Sequence, residues 1–161
     1  MSIATGALLP LTTHLEEITQ LLRQTLNTPI AMTPVRKKEE LDFLTRAYWW
    51  RTDTTNPVVR GQQAFKFVQL QIEFDSGRQV VIIDFLCIPE EQKGQGKGKI
   101  IVNKIIEMAR VLGYVSINIE AQETSVPFWQ RVGFMALEPT STRFPKAMFY
   151  SVKPPKINAF A

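Results

Sequence analysis

In the stretch EEQKGQGKGKII, Glu90–Ile101, glycines at 94, 96 and 98 interleave with lysines at 93, 97 and 99, and an apolar segment follows at once. That spacing suits the capture of an anion. The first backbone N–H groups of a helix have no intrahelical acceptor, and the aligned peptide dipoles place about half a positive charge there. Glycine lets the chain curl so that several N–H groups converge on one phosphate, and it sets no Cβ in the way. Lysine ammonium groups add charge at the rim. The segment therefore reads as a cradle for a phosphate or diphosphate, built from Lys93, Gly94, Gln95, Gly96, Lys97, Gly98 and Lys99. A flexible surface loop with solvated lysines fits the same residues equally well.

Two common phosphate motifs do not fit. A P-loop ending at Gly98-Lys99 needs glycine at 93 and a hydroxyl at 100, where Lys93 and Ile100 stand. The dinucleotide fingerprint needs a third glycine at 99, which is Lys99.

Acid–base chemistry has two candidates. Asp84 interrupts the apolar run VVIIDFLCI, so it must be paired, water-bonded or raised in pKa; a bulge or edge acid held by the backbone fits as well. Glu120 ends the run YVSINIE and points either into a site or into solvent. Cys87 has no histidine near it in sequence and reads as a small buried apolar residue rather than a nucleophile. His14, distant in sequence, reads as a surface residue. Tyr48, Trp49 and Trp50 form an aromatic cluster: two suit the core or a lid, and an exposed one suits stacking on an acceptor.

The elements that must position these residues follow from periodicity. Thr12-Thr13 caps a helix from His14 to Leu26, with Leu15, Ile18, Leu21, Leu22 and Leu26 on one stripe. A second helix is expected from Lys37 to Trp49, followed by a turn-rich loop, RTDTTNPVVRGQ. AFKFVQLQIEF alternates as a half-buried strand, DSG turns, and RQVVIIDFLCI returns as a central strand buried on both faces. Beyond the glycines, Ile101, Ile105, Met108 and Leu112 make a helical stripe closed by Gly113. YVSINIE is a strand and SVPFWQRV a short helix with Pro127 in its first turn. GFMALEP and KAMFYSVK are two last strands. The expected order α-α-β-β-α-β-α-β-β is that of an α/β layered domain around a mixed sheet.

KGQGKGKIIVNKIIEMARVLGY resembles the acetyl-CoA-binding segment of the Gcn5-related N-acetyltransferase (GNAT) superfamily, [RQ]-x-x-G-x-[GA] opening an amphipathic helix that ends in Leu-Gly. Lys93 stands at the first position, Gly96 and Gly98 at the glycine positions, and Leu112-Gly113 at the helix end. LCIPEEQ looks like the family's strand exit, and QETSVPFWQRVGF like its later segment with an aromatic pair and a terminal Gly-Phe. The likeness runs from about Phe65 to Tyr150.

The resemblance implies a mixed, mostly antiparallel sheet flanked by helices on both faces. It implies a direct acyl transfer, with acetyl-CoA as the donor, to a primary amine. The pantetheine arm would bond main-chain groups of Leu86, Cys87 and Ile88, and the diphosphate would rest on the N–H groups of residues 94–99. Gln122 stands near a family asparagine that bonds the arm. Two departures matter. Lys93 replaces Arg or Gln, which suits a diphosphate. Trp129 replaces the tyrosine whose hydroxyl protonates the leaving thiolate; an indole N–H donates a hydrogen bond but is no acid. Trp129 then packs on the cofactor or in the core. A non-catalytic GNAT-like binding module is therefore the alternative.

The bulk composition bounds these readings. With 161 residues, 45% hydrophobic and 21% charged, one domain of residues 1–161 is expected, its 1–61 portion a helical acceptor-side region and 62–152 the cofactor-binding core. A net charge of +4 fits an anionic ligand and is too small to demand nucleic acid. The single cysteine excludes an internal disulfide framework and a multi-cysteine zinc site, and no metal is expected. The first residues lack a basic, apolar leader, and no apolar run reaches membrane-spanning length, so a cytoplasmic monomer or homodimer is the expectation.

Overall fold

The computed structural model describes residues 11–35, 45–52 and 68–153. The elements in chain order are α1 (Leu11–Leu26), β1 (Ile30–Val35), β2 (Thr45–Thr52), β3 (Val68–Asp75), β4 (Val80–Leu86), α2 (Lys97–Leu112), β5 (Ser116–Ala121), α3 (Val126–Arg131), β6 (Met135–Ala136) and β7 (Lys146–Ser151). Short 3-10 turns at Glu90–Gln92 and Glu123–Ser125 precede α2 and α3. Seven strands make one sheet in the order β1-β2-β3-β4-β5-β7-β6. Every neighbouring pair is antiparallel except β4 and β5. That parallel pair requires a crossover, and α2 supplies it.

Strand alternation gives the sheet two unlike faces. Register places Trp50, Leu70, Ile72, Phe74, Val81, Ile83, Ile117, Ile119 and Met148 on one face, and all are buried. Against it lie Leu15, Ile18, Leu22 and Leu26 of α1 and Ile101, Ile105 and Met108 of α2. Each such side chain contributes about 1.5–3 kcal/mol by leaving water. One polar link crosses this core. Trp50 Nε1 donates to Thr19 Oγ1 at 2.8 Å, and Thr19 Oγ1 donates to Leu15 O at 2.8 Å. Lys104 Nζ on α2 meets Glu17 Oε2 on α1 at 2.5 Å, at the rim. Gly113, at φ 84°, ends α2 as expected, its N–H donating to Arg110 O and that of Tyr114 to Ala109 O.

Four sequence expectations are corrected. Thr12 and Thr13 lie inside α1 rather than capping it. Residues 45–49 form strand β2, not the end of a helix, and the remainder of that expected helix, 37–44, lies outside the described residues. The 1–61 portion therefore contributes two strands as well as a helix, β1 being unforeseen. Aromatic residues fit a pleated surface, and pairing with β1 and β3 settles this segment as a strand. Finally, β4 is central but not buried on both faces: Asp84 and Phe85 are exposed.

Candidate functional site

The cradle forms where β4 hands over to α2. Gly94 and Gly96 take φ of 80° and 75°, and a Cβ at either would meet nothing within 4 Å. Both are glycine because the backbone turns left-handed there. Gly96 is the N-cap of α2, and the helix ladder opens with Ile100 N donating to Gly96 O at 3.2 Å. The N–H groups of Lys97, Gly98 and Lys99 are thus the ones without an acceptor in the helix. Gly98 is different. It is buried, and a Cβ there would meet the Phe128 ring of α3 at 2.9 and 3.0 Å. Its smallness serves helix packing rather than open access for a ligand.

Charge around the cradle is ordered unequally. Lys93 and Lys99 are exposed. Lys97 is half-buried and donates to Gln92 Oε1 at 2.6 Å, while Gln92 Nε2 donates to Leu26 O at 3.0 Å. Gln95 is exposed, its Nε2 3.4 Å from Glu91 O.

Beside the cradle the sheet divides. β4 and β5 pair from Val80↔Ser116 to Ile83↔Ile119 and no further. Beyond that point β4 stays with β3, Leu86 opposite Leu70, and β5 stays with β7, Ala121 opposite Lys146. Two parallel strands held by different partners leave a wedge between them. Asp84 is the extra residue of a bulge at its mouth, since Ile83 opposes Ile72 and Phe85 opposes Gln71. The Cys87 N–H is used by Gln69 O at 2.8 Å. Antiparallel backbone groups alternate between the two sides of a strand, so those of Leu86 turn toward the wedge and those of Cys87 away from it. Ile88 is half-buried. Cys87 is exposed, which corrects the expectation of a buried thiol.

On the sheet face away from α1 and α2 lies a groove of about 410 Å³. Asp84, Asn118 and Glu120 line it, with Ile82, Leu137 and Phe149 as apolar walls. Asp84 is exposed and lies 3.5 Å from Gln71 Nε2. Ser116 Oγ donates to Asn118 Oδ1 at 2.7 Å. Arg78, also a lining residue, is paired with Asp75 at 2.7 Å; its hydrogen bond holds that carboxyl below the usual range, so its charge is largely committed. The structure thus brings the two candidate bases into one groove.

The remaining candidates scatter. Gln122 is exposed just past β5, and its carbonyl accepts from Ser125 N and Oγ. Trp129 is 7% exposed, enclosed edge-on by Phe128 and Phe134 at ring distances of 5.1 and 5.0 Å. Trp50 is 0% exposed, so it has no surface to offer an acceptor, and the substrate role is corrected to a core role. Tyr48, half-buried, packs edge-on to Phe74 on the core face. Trp49 lies on the opposite face with Arg51 stacked at 5.3 Å. His14 is 5% exposed, not a surface residue, because it lies beside Leu15 on the helix's inner side. Sequence reasoning missed Gln92 and the Phe128–Gly98 contact. A neutral glutamine in a charged loop gives no signal, and a packing glycine looks like any loop glycine. Among the described residues no group of three or more His, Cys, Asp or Glu stands where it would hold a metal. No described helix is long and apolar enough to cross a membrane.

Residues 71–144 match the family model of the acetyltransferase (GNAT) domain. Glucosamine 6-phosphate N-acetyltransferase of Trypanosoma brucei brucei is 31% identical over 62 residues, 38% of this chain, and the match covers 42% of that relative's length. Among solved structures, Tetrahymena GCN5 is 12% identical with a TM-score of 0.48, covering 90% of each chain. Spermidine N-acetyltransferase of Vibrio cholerae, in complex with CoA and spermine, is 14% identical with a TM-score of 0.46, over 71% of this chain and 70% of that one. The glycine cradle, the parting of β4 and β5, and α3 all fall inside the residues that match the acetyltransferase (GNAT) domain model.

Proposed function

We propose that this chain is an acyl-CoA-dependent N-acyltransferase that moves acetyl from acetyl-CoA to a primary amine by direct attack. The observation that carries the reading is the helix start at Lys97, whose first three amides have no acceptor within the helix, opening beside a wedge between parallel strands. The donor set fits a diphosphate on a flexible arm: amides at the helix start and flanking lysines for the anion, strand backbone at Leu86 for the arm. Bound acetyl-CoA would supply the activated acyl group. The chain's residues divide the remaining work. Residues Gly94 to Lys99 hold the anion by main chain, with Lys93, Lys97 and Lys99 adding charge. Asp84, the bulge residue at the mouth of the wedge, takes the proton that an ammonium acceptor must lose. Glu120, in the same groove, attracts the cation and is the second candidate base.

One observation favours a second reading. Trp129 is walled in by two rings at the position where the family's tyrosine acid is expected. A chain without that acid either releases the thiolate unassisted or serves as a CoA-binding module without turnover. Calorimetry with acetyl-CoA, followed by mass spectrometry of an amine pool incubated with enzyme and acetyl-CoA, separates these. Binding with acetylated products supports the transferase; binding without products favours the module. A folded chain giving no heat with CoA or acetyl-CoA contradicts both.

A further inference from the structure

Gln92, the last residue of the turn before the cradle, joins two elements through one amide. Its Nε2 donates to Leu26 O at 3.0 Å, at the C-terminal end of α1, and its Oε1 accepts from Lys97 Nζ at 2.6 Å, at the start of α2. Its backbone is fixed separately, Gln92 N donating to Pro89 O at 2.8 Å. The orientation of the amide follows from its partners. A carbonyl only accepts and an ammonium only donates, so Nε2 must face Leu26 and Oε1 must face Lys97.

The arrangement is informative because Lys97 is electrostatically misplaced. A cation in the first turn of a helix opposes the macrodipole. A carboxylate would relieve that, yet the partner is a neutral amide. A neutral acceptor fixes the ammonium in space and leaves its charge uncancelled. We propose that Gln92 is a positioning residue for the diphosphate site: anchored to the end of α1, it aims the undiminished charge of Lys97 at the cradle. This rests on reading the cradle as the CoA diphosphate site.

Calorimetry on the full chain tests it, with CoA and with pantetheine, which carries the arm without the diphosphate. Gln92→Leu weakens CoA binding about tenfold and leaves pantetheine binding unchanged. Gln92→Glu keeps a contact to Lys97 but cancels its charge and sets a carboxylate against Leu26 O, so it weakens CoA at least as much. Lys97→Met and the Lys97→Met/Gln92→Leu double variant bind CoA within about twofold of each other, because Gln92 acts through Lys97. Thermal melts accompany each variant; if Gln92→Leu does not fold, Gln92→Glu and Lys97→Met carry the comparison. Wild-type affinity in Gln92→Glu, equal loss of CoA and pantetheine in Gln92→Leu, or fully additive losses in the double variant overturn the role. If the wild type binds CoA and the Gln92 variants bind alike, this inference alone fails. A folded wild type without CoA affinity removes the functional reading and this role with it.

Discussion

Gly98→Ala tests whether packing against Phe128 dictates the last cradle glycine. The new Cβ would stand 2.9 Å from Phe128 Cε1 and 3.0 Å from Cζ, with Ile88 Cγ1 at 3.8 Å. The ring is also set edge-on to Trp129 at 5.1 Å, so it cannot swing aside without disturbing a buried indole. Overpacking of this kind costs about 1–3 kcal/mol. Alanine in place of a helical glycine returns roughly 0.5–1 kcal/mol. The net expectation is a loss of about 1 kcal/mol, or about 2–4 °C in Tm for a chain of this size. Urea titration followed by tryptophan fluorescence reads it directly. In a Phe128→Ala background the clash is gone and only the helix preference remains. Gly98→Ala then becomes stabilising by roughly 0.5–1 kcal/mol. That change of sign is the diagnostic result. A substitution that is neutral in the wild type, or equally destabilising in both backgrounds, refutes the assignment of Gly98 to packing.

Other outcomes follow from the same geometry. Asp84→Asn lowers kcat/KM about a hundredfold or more and leaves acetyl-CoA affinity unchanged; an active Asp84→Asn enzyme moves the base to Glu120 or to water, and steady-state kinetics decides. Trp50→Phe removes the bond to Thr19 inside the core and costs about 1–2 kcal/mol, whereas Trp49→Phe, on the opposite face, costs less in the same urea titration. Glu17 is held below its ordinary value of 4.5 by the Lys104 hydrogen bond, so the unfolded state takes up that proton first. Its contribution is whole above that ordinary value and is lost as pH falls through the lower folded value. Because the pair is partly exposed, the effect is at most about 1 kcal/mol, and Glu17→Gln flattens the acid limb of the stability profile in that window.

The glycine cradle and α2 were legible because their physics is local. Positive-φ glycines, the apolar stripe Ile101, Ile105, Met108 and the closing Gly113 are each set by near neighbours in sequence. The strands β1 and β2 were not, because their structure is decided across the sheet. Pro34 lies in β1, which among the described residues pairs on one side only and can accept a residue without an N–H; that proline also obscured the strand in sequence. The segment Arg46–Trp50 carries aromatics at a spacing that helix and strand both allow, and β1 and β3 settle the choice. The apolar run of β4 gives no sign that β5 leaves it after Ile83, yet that departure exposes Asp84 and makes the wedge. Likewise the roles of Trp49 and Trp50 differ only through register: one residue of offset sends one indole to Thr19 and the other to the opposite face of the sheet.

The most direct test follows backbone amides. A 15N-labelled sample titrated with CoA, and separately with pantetheine, reports each N–H by its NMR shift. The amides of Lys97, Gly98 and Lys99 should move most with CoA and hardly at all with pantetheine, since only CoA carries the diphosphate. If CoA binds and those three signals stay in place while others move, the anion is held elsewhere and the helix start at Lys97 is not its seat.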